Sequence, residues 1–461
     1  MEAESGYTSR RAGLSEISEG VLMRVSSGLT ANRAATAALV SILCAQLASA
    51  QTPAPTPTAD DPVATLVKRL DLEKYKATIK GLTQFGDRRQ GTERNRKVVD
   101  WIEAQLKSYG CTNTERIKYD FTQPTPRPTP AAGASPAARP GALPSGGLGG
   151  APGQGGSTLF GNRARTGVNN DPLLQRDERL RALNLEPTPE GTTPREEVYC
   201  TKIGKKLPNE MYIVGGHMDG IGWGEAANDD GSGTALVMEL ARIFHQPGVE
   251  TERSIRFAIW NNEESGLNGA LAYVGQRKDL QGLENPKGSG KYPEPKWLGM
   301  VQHDMMMWDH GMPIPKLDAN GKPETDGSGR TVFVSPKEQR LEADVNIEFQ
   351  SSAKEADAAA KLAWFFRAAN DKYATDYPAA VGFHMTNTDS GPFMDLVPAI
   401  SLRENERGMQ IGAGWDPNWH QPSDLYSTYS DKDFRLGLNA AQTTLAAIAQ
   451  LTGVTVRKQE P

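Results

Sequence analysis

Met211-Tyr212-Ile213-Val214-Gly215-Gly216-His217 is a short apolar run that ends on an imidazole. A run of this length reads as a strand buried on both faces, and a histidine at its carboxyl end reads as a site residue. Working outward, Gly233 to Phe244 has the spacing of a helix, and Ser254-Ile255-Arg256-Phe257-Ala258-Ile259-Trp260 that of a second buried strand. Leu267 to Val274 predicts another helix, and Leu298-Gly299-Met300-Val301 a third strand ending near Asp304. Val397-Pro398-Ala399-Ile400-Ser401-Leu402 predicts a late strand, and Phe434 to Leu451 a closing helix. Toward the N-terminus, Val63, Leu66, Val67 and Leu70, then Val98, Trp101, Ile102 and Leu106, keep a helical period before Gly110. Strands alternating with helices predict an α/β fold: a mixed, mostly parallel central sheet flanked by helices, with ligands at the carboxyl ends of the strands.

The chain has 461 residues, of which 38% are hydrophobic and 23% charged, enough for a sizeable core. That balance excludes a multi-span membrane protein, a coiled coil and a largely disordered chain. A net charge of -5 gives no reason to expect nucleic acid as a partner. Residues 60–455 are read as a single catalytic domain, interrupted at about 123–165 by a Gly/Pro/Ala-rich insertion. From Gln123 to Gly156, 8 of 34 residues are Pro and 9 are Gly, a composition expected to form a flexible surface insertion.

Residues 1–50 read as a signal peptide. Arg24 and Arg33 precede the apolar run Ala34 to Cys44, and Ala48-Ser49-Ala50 offers a cleavage site, with Met23 as an alternative start. Residues 51–59 read as a flexible linker. The run is too short to span a bilayer and Leu43 precedes Cys44, so neither stable membrane insertion nor a lipid anchor is expected. The expectation is export, periplasmic or secreted, with cleavage near Ala50. Loss of Cys44 leaves Cys111 and Cys200, and two cysteines in an oxidising compartment predict one disulfide. Both lie beside strand-like runs, Glu115 to Phe121 and Glu197 to Lys202, that could pair antiparallel.

The polar residues cluster just after the strands. His217-Met218-Asp219 follows the first, Asn228-Asp229-Asp230-Gly231-Ser232-Gly233 opens the next helix, and Glu263-Glu264 follows Trp260. Asp304 ends the Leu298 strand, and His420 lies in Trp419-His420-Gln421-Pro422-Ser423-Asp424. His217, Asp229, Glu264, Asp304 and His420 make a donor set suited to two zinc ions, which favour nitrogen and carboxylate oxygen. Two ions roughly 3.5–4 Å apart need a bridging carboxylate. A spare carboxylate beside a ligand supplies a general base, which is why the Glu263-Glu264 pair is informative.

In that order and spacing, G-G-H-M-D-G, N-D-D-G-S-G, W-N-N-E-E-S-G-L, H-D-M and W-H-Q-P-S-D resemble the zinc peptidases of family M28, the two-zinc aminopeptidase group. The resemblance covers roughly residues 60 to 455 apart from the insertion, and implies a zinc-exopeptidase, phosphorylase/hydrolase-like fold. It implies that Asp229 bridges two Zn2+ ions, that His217 and Asp304 complete one site, and that Glu264 and His420 complete the other. Glu263 would then be the general base, Asp219 would accept the imidazole N–H of His217, and the Asp229-Asp230 peptide would be cis.

Two departures stand out. Trp419 occupies a position where many relatives carry a tyrosine able to assist the oxyanion, leaving Tyr426, Tyr429 or Arg403 as substitutes. The insertion lies where some relatives carry a protease-associated domain, but it is too short and too Gly/Pro-rich to be one. The expected activity is hydrolysis of N-terminal peptide bonds, with Glu263, Asp304 or Glu404 as candidates to bind the substrate α-amine. The alternatives are a carboxypeptidase or dipeptidase, with Arg403 or Arg407 taking the substrate carboxylate, and a glutaminyl-cyclase-like transferase. Peptides are the expected partners, and the oligomeric state is left open. His245, His303, His310 and His384 read as surface or packing residues, Met305 to Trp308 as core or pocket wall, and Asp318 to Gly321 as a turn.

Overall fold

The computed structural model describes residues 61–123, 168–309, 316–327, 329, 332, 345–385, 388–404 and 416–457. The proposed signal peptide and linker, most of the 123–165 insertion, His310 and Arg407 lie outside them.

Polar N-caps start the first helices: Asp61 before α1 (Pro62–Val67), Asp71 before α2 (Leu72–Thr83) and Thr92 before α3 (Glu93–Ser108) each accept main-chain N–H groups of the first turn. Strand β1 (Glu115–Thr122) pairs antiparallel with β2 (Thr192–Lys202), Glu115 opposite Tyr199. The short helix α4 (Glu178–Asn184) precedes β2. Strand β3 (Leu207–His217) leads to α5 (Gly231–Phe244), and a two-residue β4 (Val249–Glu250) precedes β5 (Arg253–Trp260). Then come α6 (Asn268–Arg277), β6 (Lys296–His303), β7 (Val345–Phe349), α7 (Ala356–Tyr373), β8 (Ala379–Gly382), β9 (Ala399–Arg403), α8 (Asp431–Leu451) and β10 (Thr455–Val456).

Among the described residues, eight strands form one sheet in the order β1-β2-β5-β3-β6-β9-β7-β8. Its centre, β5-β3-β6-β9, is parallel, while β1, β2 and the β7–β9 pairing supply the antiparallel part. The fold is thus the mixed, mostly parallel α/β layering expected. Period-two alternation divides the central strands between two cores. On β5, Ile255, Phe257 and Ile259 enter the larger core with α1–α3, α5, α7 and α8, while Ala258 and Trp260 enter a smaller one with α6 and Phe393.

Several boundaries differ from expectation. The third strand runs from Lys296 to His303, because pairing with β3 continues on both sides of the apolar run. Helix α6 starts at Asn268 and runs to Arg277. Strands β7 and β8 and helix α7 extend the sheet beyond what the apolar runs foretold. Cys111, just past α3, and Cys200, on β2, are joined by a disulfide.

Candidate metal centre

Parallel strands point their carboxyl ends the same way, so residues distant in sequence converge at one edge. His217 is the last residue of β3, Glu263 and Glu264 follow β5, Asp304 follows β6, and Asp229 sits just before α5. His420 comes from the loop before α8.

Two ligand sets result, and Asp229 belongs to both: His217, Asp229 and Asp304 in one, Asp229, Glu264 and His420 in the other. The Asp229 carboxylate divides its oxygens, Oδ1 at 3.5 Å from His217 Nε2 and Oδ2 at 2.9 Å from His420 Nε2. Asp304 Oδ1 lies 3.8 Å from His217 Nε2, and Glu264 Oε2 lies 2.8 Å from His420 Nε2. Bonds of about 2.0–2.1 Å in a tetrahedral zinc site put neighbouring ligand atoms roughly 3.4 Å apart, close to the spacing in the first set. The second set is drawn in to hydrogen-bond range.

The donor atoms themselves test whether cations fit. His217 Nε2, Asp304 Oδ1 and Glu264 Oε1 are buried and have no hydrogen-bond partner. Buried polar atoms are rarely left so. Burial pushes the Glu263 carboxyl well above the usual range; His217 opposes this, while Glu264 and Asp389 add to it. Burial also carries Glu264 up to about 7 against the pull of His420. At His420 burial works downward, but Glu264 and Asp229 outweigh it and hold the imidazole at about 10. A nitrogen-and-carboxylate set this crowded with buried anions suits divalent cations.

Asp219 meets the imidazole of His217 as expected, but with its main-chain carbonyl rather than its carboxylate. His217 Nδ1 lies 3.0 Å from the main-chain carbonyl of Asp219, while the carboxylate Oδ1 is 3.8 Å away and accepts the Glu263 N–H at 3.0 Å. The carbonyl of Asp219 thus meets the ring, and its carboxylate serves the Glu263 segment. An Nδ1–H donated to that carbonyl leaves the Nε2 lone pair facing the carboxylates. Glu263 has the most exposed side chain of the acidic groups here, at 10%, and its Oε2 is 4.0 Å from His217 Nε2.

Three of the suggested substrate residues border the centre, each against a ligand or its neighbour. Arg403, itself buried, donates from Nη2 to Asp304 Oδ2 at 2.8 Å, so it serves a ligand residue. Glu404 accepts the Asn228 amide at 2.9 Å. Tyr426 packs its ring on Phe434 and under Lys80. Tyr429 is buried and bonds Asp416 and Asp424. Trp419 stacks on His420 with ring centroids 3.9 Å apart. His303 is a buried packing residue bonded to Gly215 O and Thr444 Oγ1.

The structure adds residues that motif reading passed over. The Asp229-Asp230 peptide is cis, as the resemblance implies; the residues passed over are the aspartates around it. Asp230 accepts the main-chain N–H groups of His217 (3.0 Å), Gly233 (2.8 Å) and Met305 (3.2 Å), tying the two ligand strands to the cap of α5. Asp424 accepts the N–H groups of Asn228 (2.9 Å) and Asp229 (3.2 Å). Both aspartates stand inside quoted motifs, and that was the available signal. Asp389, buried after β8, lies outside every motif; its Oδ2 is 3.4 Å from Gln302 Nε2.

Residues 198–323 match the family described as Peptidase family M28. A Streptomyces exfoliatus protein, leupeptin-inactivating enzyme 1, is 33% identical over 132 residues, 27% of this chain and 29% of that one. The Mycobacterium tuberculosis "Probable lipoprotein aminopeptidase LpqL" is 27% identical over 271 residues, 57% of this chain and 47% of that one. This chain therefore spans less than half the length of either relative. The solved structure of a zinc aminopeptidase from Bacillus subtilis superposes with a TM-score of 0.50 at 16% identity, covering 85% of this chain and 97% of that one, a likeness of fold.

Proposed function

We propose that this chain, which belongs to peptidase family M28, is an exported exopeptidase that removes N-terminal residues from peptides with two zinc ions. The observation that carries the reading is the pair of ligand sets sharing Asp229, with the Glu263 carboxylate beside them, its Oε2 4.0 Å from His217 Nε2. His217, Asp229 and Asp304 would hold one ion and Asp229, Glu264 and His420 the other. Ions there would polarise the scissile carbonyl and lower the pKa of a shared water. Glu263 accepts a proton from the attacking water and hands it to the departing amine. Asp219 supports this twice, through its carbonyl on His217 and its carboxylate on the Glu263 N–H.

The aminopeptidase description of LpqL and the engagement of Arg403 by Asp304 favour N-terminal over C-terminal substrates. Export is supported by the N-terminal charge and apolar pattern. No helix among the described residues is long and apolar enough to cross a membrane.

Glu263→Gln is the test: zinc stoichiometry stays at two while turnover of free-amine aminoacyl-amides falls by about 10²–10⁴. Retained turnover removes Glu263 as the base. Cleavage of N-acetylated substrates as readily as free-amine ones removes the N-terminal specificity.

A further inference from the structure

The loop from Met218 to Asn228 carries the chain from one ligand, His217, toward the next, Asp229. Its backbone is irregular, with positive φ at Gly222 (95°), Trp223 (72°) and Ala226 (49°), so it cannot pair its own carbonyls as a helix or strand would. Side chains do so instead. Arg88, fully buried, donates to the carbonyls of Met218, Glu225 and Ala226 at 2.6, 2.6 and 2.7 Å. Three consecutive carbonyls between Met218 and Glu225 go to side-chain amides of one segment: Gly222 O to Asn169 Nδ2 (3.4 Å), Trp223 O to Gln175 Nε2 (2.8 Å) and Gly224 O to Asn184 Nδ2 (2.9 Å).

The same segment also holds the His420 loop. The Asn169 N–H donates to His420 O at 3.0 Å, and Gln175 Nε2 reaches Pro422 O at 3.0 Å. Gln175 thus bridges the two loops with one amide. The loops lie backbone to backbone: a Cβ at Gly224 would sit 2.7 Å from Gln421 O and 2.8 Å from Asp424 O. Little of residues 169–184 is held by apolar burial, since Leu173 and Leu174 are 75% and 59% exposed. The buried side chains are the amides, Asn169, Gln175 and Asn184, together with Leu180. The segment lies outside the family match.

The geometry points to residues 169–184 as a strap that positions the His420 half of the metal centre, with Gln175 as its principal positioning residue. This rests on the two-zinc reading for its consequence, though not for its structural content. Removing Gln175's donors takes the partner from the Trp223 and Pro422 carbonyls and removes one of the ties between the His420 loop and the Gly222–Ala226 loop, leaving those through Asn169 and Glu225.

The test uses the full chain and Gln175→Leu, with Gln175→Glu as a same-sized variant lacking the amide donors should the first fail to fold. Hydrogen exchange in the zinc-free protein reads the strap alone: the Asn169 amide, bonded to His420 O, should exchange about tenfold faster or more. Zinc release to a chromogenic chelator reads the consequence: one of two ions should leave about 10-fold faster or more, the range typical of lost support around a metal ligand, and the other at its original rate. Unchanged Asn169 exchange, or equal acceleration of both ions, overturns the strap. An unsubstituted chain that binds two zinc ions but cleaves no peptide sinks the proposed activity and leaves the strap standing.

Discussion

Replacing Arg403 with leucine removes the cation paired with Asp304 inside the protein. The guanidinium Nη2 is 2.8 Å from Asp304 Oδ2, and both side chains are only 4% exposed. Two unit charges at that distance attract by about 6 kcal/mol at an effective dielectric of about 20. Desolvation of both groups offsets much of this, and breaking a buried pair from one side costs roughly 3–5 kcal/mol because the partner is left uncompensated. At somewhat less than the ~2–4 °C per kcal/mol typical of domains of 150–250 residues, the zinc-free variant should melt about 5–10 °C lower. Zinc changes the arithmetic, since the stranded Asp304 carboxylate is a proposed ligand and a cation restores its counter-charge. The melting deficit should therefore shrink by more than half on zinc loading, and by linkage zinc should stabilise the variant more than the parent. The assay is thermal unfolding of both proteins in chelator and in excess zinc. A deficit of the same size in both conditions refutes the counter-charge argument. A deficit below about 2 °C in chelator, together with a KM increase confined to substrates with a free carboxylate, would return Arg403 to substrate binding.

Other perturbations test separate parts of the structure. Asp230→Asn turns an amide group toward main-chain donors of His217, Gly233 and Met305, and should weaken zinc retention by about 10–100-fold, measured by competition with a chelator. Replacing Cys111 and Cys200 with serine opens a loop of sequence separation 89, worth about 4–5 kcal/mol in the chain-entropy account, so the denaturant midpoint should fall to that of the reduced parent. Burial raises the Glu103 carboxyl, but hydrogen bonds from Lys107, Arg116 and Thr114 outweigh it and hold it at about 2. A depressed native pKa contributes stability above the unfolded value of about 4.3, lost as pH falls toward 2. The stability gap between parent and Glu103→Gln should therefore narrow between pH 5 and 2 in urea titrations.

What was legible in the sequence follows from what local pattern can encode. The Met211 and Ser254 runs are apolar on both faces because the strands they form are central and parallel, and that signal needs no partner to be read. Strand β7, Val345-Asn346-Ile347-Glu348-Phe349, alternates apolar and polar residues but keeps Asn346 and Glu348 buried beside Arg403 and β8, which hydropathy alone does not foretell. The ligand residues were readable because each stands at a strand end within a motif. The exchange of roles at Asp219, carbonyl to His217 and carboxylate to Glu263, was not: it depends on how the backbone turns, and a residue type carries no information about which of its oxygens is presented.

The supporting residues show where the specification of this centre resides. Asp230, Asp424 and Asp219 accept main-chain N–H groups at His217, Asn228, Asp229, Glu263 and Met305. They fix backbone positions, and the ligand side chains inherit their placement from those. A carboxylate accepting several N–H groups lets irregular backbone stay buried beside a charged site without leaving those donors unpaired. The carbonyls of the same loops need the opposite partner, and Arg88, Asn169, Gln175 and Asn184 provide it. The carboxylate acceptors are thus drawn from the motif loops, and these four donors from segments outside them. The ligand motifs alone would not carry the geometry into a chain that lacked those distant donors, which is why a change at Gln175, 42 positions before His217, is expected to be felt at the metal.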